Sequence, residues 1–337
     1  MTSRFSDSRF GAGANVENGG LLGRKLKDAR WAYPLRRIHD MFLERFTAMR
    51  DTWSIAIYTG ESPLQLSPAG SLKNPVLTAR HVRDVKAGFV ADPFMVREGD
   101  RWYMFFEVYN RESGKGEIGL AISMDGFRWE YDRIVLEEPF HMSYPYVFKW
   151  RDQYFMIPES SRDSSIRLYK AIRFPSEWSL VKVILQGEFH DSSILYHDDT
   201  FWLFTCTDPS FRVLSLYTSA ELTGPWVEHP KSPIVTENSR IARPGGRVLL
   251  VDNHPVRFAQ DCYPIYGSSV RAFKITTLTN NDYSETEYEN NPVISASGAG
   301  WNAHMMHNID AIRLDAKTWV ACVDGGRWDR VLELQRR

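Results

Sequence analysis

ADPFMVREGDRWYMFFE (residues 91–107), SYPYVFKWRDQYFMIPE (143–159) and HDSSILYHDDTFWLFTC (190–206) are three versions of one phrase. Each begins with a strand-like run and breaks at a polar turn such as Glu98-Gly99-Asp100 or His197-Asp198-Asp199. Each then resumes in a second strand rich in aromatic residues. A looser copy reads NIDAIRLDAKTWVACVD (308–324), and another, ARPGGRVLLVDNHPVRFAQD (242–261), is stretched around its turn. The copies start at Asp92, Tyr144, Asp191, Arg243 and about Ile309, at intervals of 52, 47, 52 and roughly 66 residues. A period near 50 with four short strands per unit is the signature of propeller blades. Five units predict an all-β, five-bladed β-propeller.

The second half of each unit agrees. IGLAISMDGFRWE (118–130), IRLYKAIRFPSEW (166–178) and LSLYTSAELTGPW (214–226) each give a strand, a Ser/Pro/Gly turn and a Trp. Trp129, Trp178 and Trp226 are therefore expected to be equivalent core positions between blades. The strand WSIAIY (53–58) precedes the first repeat and is expected to join the last blade, which would close the ring and remove exposed sheet edges. The propeller is assigned to residues 53–337, with no separate second domain.

Upstream, residues 1–21 are rich in Gly, Ser and Asn without periodicity and read as a disordered arm. Residues 22–52 read as an N-terminal helical extension, since Leu26, Leu35, Ile38, Phe42 and Phe46 recur at roughly helical spacing. From Arg24 to Arg50 eight Lys/Arg face Asp28, Asp40 and Glu44, leaving +5. A solvated basic face is the expectation, with contact to an anionic membrane surface as its alternative.

Composition bounds the function. Of 337 residues, 43% are hydrophobic and 25% charged, as in a soluble globular protein, and 13% are aromatic, rings that all-β folds and sugar-binding surfaces both use. A net charge of −1 offers no basic field for nucleic acid. Cys206, Cys262 and Cys322 are sparse, odd in number and without metal-ligand spacing, which points to a reducing, cytoplasmic setting. No run of 18 apolar residues is present.

In a propeller the first strand of every blade lines the central channel. Asp92, Tyr144, Asp191 and Arg243 should therefore ring one funnel, with His190 and Ser143 beside them and His307 or Asn308 completing the circle. Fifteen residues after the first two anchors stand Glu107 and Glu159, at the ends of apolar runs where a lone carboxylate is costly to bury. Such acids can divide general acid and base work on a glycosidic bond. They can equally pair with Arg243, Arg247 or Arg257, and Asp92 can cap a turn before Pro93. Arg243-Pro244-Gly245-Gly246, Gln260 and Asp261 set donors and one acid in the fourth unit, a combination suited to an anionic or phosphorylated sugar. His141, His304 and His307 could join as acid/base groups or as ligands of an ion, each alone reading as a hydrogen-bonding wall residue. No histidine pair has a metal motif, and no metal or cofactor is expected.

ADPF, WYMFFE, SMDGFRW and the Leu-Thr-Gly-Pro-Trp turn resemble family 43 glycoside hydrolases and their five-bladed relatives. HMSYPYVF, MIPES, FPSEW, GPWVEHP, RPGGR and AQDCYPIYG resemble the N-terminal propeller-like domain of glucosamine inositolphosphorylceramide transferases and its bacterial homologues, over about residues 85–315. The family 43 resemblance implies an inverting reaction with a blade-one Asp as base, a blade-three Asp that orients the site, and a blade-four Glu as acid. Asp92 and Asp191 match the first two; Arg243 stands at the third. The proton donor would then be Glu159, Glu107 or Asp261.

The leading expectation is a glycoside hydrolase-like enzyme in which Asp92 activates water, Asp191 positions the sugar and Glu159 donates the proton. Glu107, His141, Tyr144, His190, Arg243, Gln260, Asp261, His304 and His307 would bind a carbohydrate or other sugar-containing small molecule. The alternatives are a sugar transferase or other biosynthetic enzyme acting on an anionic sugar, and a non-catalytic carbohydrate-binding module.

Overall fold

A computed structural model describes residues 47–332. The arm assigned to residues 1–21 and the helical extension as far as residue 46 lie outside the described residues. Where the extension reaches them, the helix expectation is corrected: residues 47–52 open the strand Thr47–Ser62. Pairing with the C-terminal strand Trp319–Leu332 is a non-local interaction that local helical spacing does not register.

Residues 50–329 carry the blades, and the fold is the expected all-β five-bladed propeller. Blade 1 comprises Ala87–Glu98, Arg101–Asn110, Lys115–Ser123 and Glu130–Leu136. Blade 2 comprises Ser143–Trp150, Gln153–Glu159, Ser165–Arg173 and Glu177–Gln186. Blade 3 comprises His190–His197, Thr200–Cys206, Leu214–Ser219 and Val227–Glu228. Blade 4 is built on Arg243–Pro244, His254–Asp261, Ser269–Leu278 and Tyr283–Glu287, with two short added strands. Blade 5 joins both ends of the unit in the order Ile309–Arg313, Trp319–Leu332, Thr47–Ser62, Gln65–Pro68. The ring is thus closed by Trp53–Tyr58, as the position of that strand predicted.

The first strands of neighbouring blades touch one another, so they form the wall of the funnel. Each blade is covered on both faces by its neighbours. The inner strands therefore read as continuous apolar runs, whereas the outer strand Glu177–Gln186 is mostly exposed. Trp129, Trp178 and Trp226 are structurally equivalent, each indole N–H donating to the carbonyl of the turn just before it, on Gly126, Pro175 and Leu222. Their rings pack into the apolar layers between blades.

Three inner strands share an irregularity. Their pairing register shifts at Asp92, Tyr144 and Asp191, whose φ angles are 52°, 44° and 48°. A bulge re-aims a side chain, and left-handed backbone is uncommon outside glycine. Each bulge N–H is held by an acid of the preceding blade: Asp92 N–H by Asp324 Oδ2 (2.9 Å), Tyr144 N–H by Asp92 Oδ2 (3.2 Å) and Asp191 N–H by Glu159 Oε2 (3.2 Å).

Candidate functional site

The bulges turn Asp92, Tyr144 and Asp191 into the funnel, and Arg243 meets them from blade 4. Arg243 is buried and donates from Nε to Asp191 Oδ2 at 2.7 Å and from Nη2 to Glu159 Oε2 at 3.2 Å. Its guanidinium also lies 4.2 Å from the Phe211 ring centroid and 5.2 Å from that of Tyr266. Gln260 Nε2 adds a second donor to Asp191 Oδ2, at 2.5 Å. Burial lifts the Asp191 carboxyl to about 6, against the opposing pull of Arg243. Glu159 has both oxygens in use, since Ser161 donates to Oε1 at 2.9 Å.

Asp92 has a different environment. His307 Nε2 lies 3.6 Å from its Oδ1, and His307 Nδ1 is bonded to Asp324 at 2.8 Å. Burial raises the Asp92 carboxyl to about 7; His307 opposes this, and the carboxylates of Asp191 and Asp324 reinforce it. Burial also works against charge on His307, yet Asp324 and Asp92 hold its pKa above the ordinary value. The Trp53 ring stacks on His307 at 4.2 Å. Asp92, His307 and Asp324 bring ligand atoms within 4.8 Å of one another, a spacing that a metal ion could bridge. Asp324 already accepts from the backbone N–H groups of Asp92, His307 and Asn308 as well as from the His307 ring, whereas His307 and Asp92, 3.6 Å apart, make a charge contact and not a hydrogen bond.

Glu107 is buried, and its carboxyl is held well above the usual range by burial first and by the carboxylates of Asp92 and Glu159 next. Gly116 N–H donates to His141 Nδ1 at 2.8 Å, which leaves Nε2 as the protonated nitrogen facing Glu107 Oε1 at 3.4 Å. Burial lowers the His141 pKa, and the charge of Arg162 acts the same way. Tyr144 is wholly buried; its hydroxyl accepts from Gly246 N–H at 2.7 Å and lies 2.9 Å from Ser193 Oγ. That geometry gives Tyr144 a bracing position between blades 2, 3 and 4.

Two residues singled out in the sequence stand apart from this cluster. Asp261 is bound by Arg240 (3.3 Å) and Arg271 (3.1 Å), and His304 stacks on Trp328 at 4.5 Å. Arg247 and Arg257 pair with Asp310 and Glu285, so neither reaches the funnel glutamates. Asp324, Trp53 and Phe211 complete the site and were not among the residues singled out. Asp324 had a legible signal: it lies fifteen residues after Ile309, the spacing that separates Glu107 from Asp92 and Glu159 from Tyr144.

A cavity of about 600 Å³ opens over this ring, lined by His141, Glu159, Arg162, His190, Phe211 and Arg243. Among the described residues, three buried side-chain oxygens have no hydrogen-bond partner, Asp191 Oδ1, Gln260 Oε1 and Asn308 Oδ1, while His190 Nε2 lies 3.3 Å from Glu188 Oε1. All three are acceptors on funnel residues, and buried polar atoms are rarely left unpaired, so the funnel is short of donors.

Residues 47–326 match the family described as glucosamine inositolphosphorylceramide transferase 1, N-terminal. Two relatives bear the name glucosamine inositolphosphorylceramide transferase 1. The one from Oryza sativa subsp. japonica is 36% identical over 298 residues, and the one from Arabidopsis thaliana is 35% identical over 298. Each match takes in 82% of this chain but only 40% and 39% of the relative, so the chain spans about two fifths of their length. Among solved structures, a glycoside hydrolase from Parabacteroides distasonis superposes with a TM-score of 0.57 at 12% identity, covering 79% of this chain and 97% of that one. The catalytic domain of a family 62 α-L-arabinofuranosidase from Coprinopsis cinerea gives 0.55 at 13%, covering 82% and 96%. At such identities these two structures speak to the fold alone.

Proposed function

The chain belongs to the glucosamine inositolphosphorylceramide transferase 1 N-terminal family, and from that premise we propose that it serves glycosyl transfer to an anionic, sugar-containing acceptor. In this reading the funnel holds the sugar, and Asp92 takes the proton of the attacking hydroxyl.

The observation that carries the reading is Arg243, bonded to both Asp191 and Glu159. Inverting hydrolysis needs a protonated acid at the leaving oxygen and a base for water. Arg243 commits two funnel carboxylates to an ion pair and leaves Asp92 as the available base. One base is enough for transfer from a phosphate-activated sugar, whose leaving group departs as an anion without needing a proton. A carboxyl near 7 is well matched to proton acceptance at neutral pH. The unpartnered acceptors Asp191 Oδ1, Gln260 Oε1 and Asn308 Oδ1 leave the funnel short of donors, which is in keeping with a ligand rich in hydroxyls. The relatives' names specify glucosamine and inositolphosphorylceramide, and an amino sugar moved onto a phosphoinositol lipid is the substrate class proposed here.

The test is transfer of radiolabelled sugar from nucleotide-activated donors to inositolphosphorylceramide, comparing the full chain with Asp92→Asn. Loss of general-base catalysis lowers transfer by roughly 10²–10⁴-fold, with acceptor binding retained. Unchanged transfer with intact binding would make the funnel a binding module and overturn the assignment. One observation favours a second reading, glycoside hydrolysis: Glu107 carries a strongly raised carboxyl and could donate a proton. Under that reading free sugar is released without any acceptor, and Glu107→Gln abolishes the release.

A further inference from the structure

A second cavity, of about 610 Å³, lies where blades 5 and 1 meet. Three guanidinium side chains line it, those of Arg80, Arg111 and Arg327, together with the indoles of Trp53 and Trp301. Arg327 is engaged by Asp329 at 3.0 Å, and Asp329 is the sole acid in the lining. Among the described residues, the side chains of Arg80 and Arg111 have neither an ion pair nor a hydrogen bond. All three arginines are exposed, so solvent screens their repulsion, and the excess of positive charge over one acid leaves them free to draw an anion.

The backbone makes room for this arrangement. A Cβ on Gly88 would stand 3.2 Å from Arg111 Nε and 3.4 Å from its Cγ, and one on Gly325 would stand 2.4 Å from Trp301. A side chain at Gly325 would displace the Trp301 indole, and one at Gly88 would crowd Tyr109 and Arg111. The cavity also adjoins the funnel, because Trp53 is part of its wall while stacking on His307, the partner of Asp92.

We propose that this cavity is a second binding site, which takes the phosphate ester of a sugar-containing ligand. Arg80 and Arg111 supply the charge, and Trp301 is the apolar wall for the rest of the molecule. Planar guanidinium forks match phosphate oxygens two at a time, and more than one such fork at a single cavity favours phosphate over a single carboxylate. The inference rests on the reading of the substrate as anionic and gives that anion a place of its own. It is tested by binding without turnover, so its failure is distinguishable from a failure of Asp92 chemistry.

Glucose 1-phosphate and glucose are titrated into the full chain by calorimetry. In parallel, phosphatidylcholine vesicles with and without phosphatidylinositol are used in flotation. The expected result is binding of the phosphorylated probe and not of glucose, weakening as salt is raised. Arg80→Gln and Arg111→Gln should each weaken it by about tenfold or more with unchanged melting temperature. Arg162→Gln, at the funnel mouth, should leave it intact. Binding of glucose 1-phosphate alone assigns a soluble ester; binding confined to phosphatidylinositol vesicles and lost in the same variants assigns a lipid headgroup. The proposal is overturned if neither probe binds, if glucose binds equally well, or if affinity responds to Arg162 and not to Arg80 and Arg111.

Discussion

Replacing Arg243 with Met should destabilise the propeller in a way that depends on pH. Met keeps much of the stem and removes the charge, which leaves Asp191 and Glu159 buried beside each other without their shared cation. Removing one partner of a buried ion pair costs about 3–5 kcal/mol. For a domain of this size that corresponds to a melting temperature lower by roughly 6–15 °C. The pH dependence follows from Asp191, whose pKa rises from 3.8 to about 6 on folding even with Arg243 in place. A carboxyl raised on folding binds its proton more tightly in the native state. Its contribution is therefore present below the unfolded pKa and lost as pH rises toward 6, a swing of about 3 kcal/mol. Arg243 is a lowering influence on that group, so its removal pushes the carboxyl higher still. The deficit of Arg243→Met should then be largest near pH 8 and much smaller near pH 5, where Asp191 is protonated. Thermal melts followed by circular dichroism at both values measure it, with Arg243→Met/Asp191→Asn expected to recover much of the loss at pH 8. An equal deficit at both pH values, with no recovery in the double variant, would mean that Arg243 acts through its packing on Phe211 and Tyr266 and would refute the electrostatic argument.

Three further outcomes are expected. If Asp92 is the base, the pH–rate profile of transfer should rise tenfold per unit up to about 7 and then level, the sign set by the need for the deprotonated carboxylate; a limb near 4 would remove Asp92 from that role. His307→Gln takes away a charge that lowers the Asp92 pKa, so the same limb should move to higher pH, and an unmoved limb would sever the His307–Asp92 coupling. Tyr144→Phe strands the Gly246 N–H and should cost about 1–3 kcal/mol, read as a lower urea midpoint; an unchanged midpoint would show that the N–H has another partner.

Much of the architecture was legible because the repeat is written in residues that pack: aromatic strands, polar turns and an anchor residue in phase. The same phase located Asp92, Tyr144, Asp191 and Arg243 on one wall. Asp324 escaped notice because its repeat is the loosest of the five, although the fifteen-residue spacing reached it. The pairing of Arg243 with two acids from two other blades could not be read, since it exists only once the ring is curved. The helical reading of residues 47–52 failed for a related reason: their partner strand lies at the other end of the propeller sequence. Asp261 follows Gln260 on its strand and so points to the opposite face, where Arg271 binds it, and only Gln260 reaches Asp191.

The carboxylates that grip the bulge N–H groups of the next blade carry a consequence for how this protein can change. In many enzymes the residues of the site are a burden on stability, and replacing them strengthens the fold. Here Asp324, Asp92 and Glu159 are also the clasps between blades 5 and 1, 1 and 2, and 2 and 3. A lineage that abandoned the chemistry would still be obliged to keep these acids. Their persistence in a relative would therefore testify to a closed ring, and catalysis would have to be judged from His307 and the groups facing the ligand.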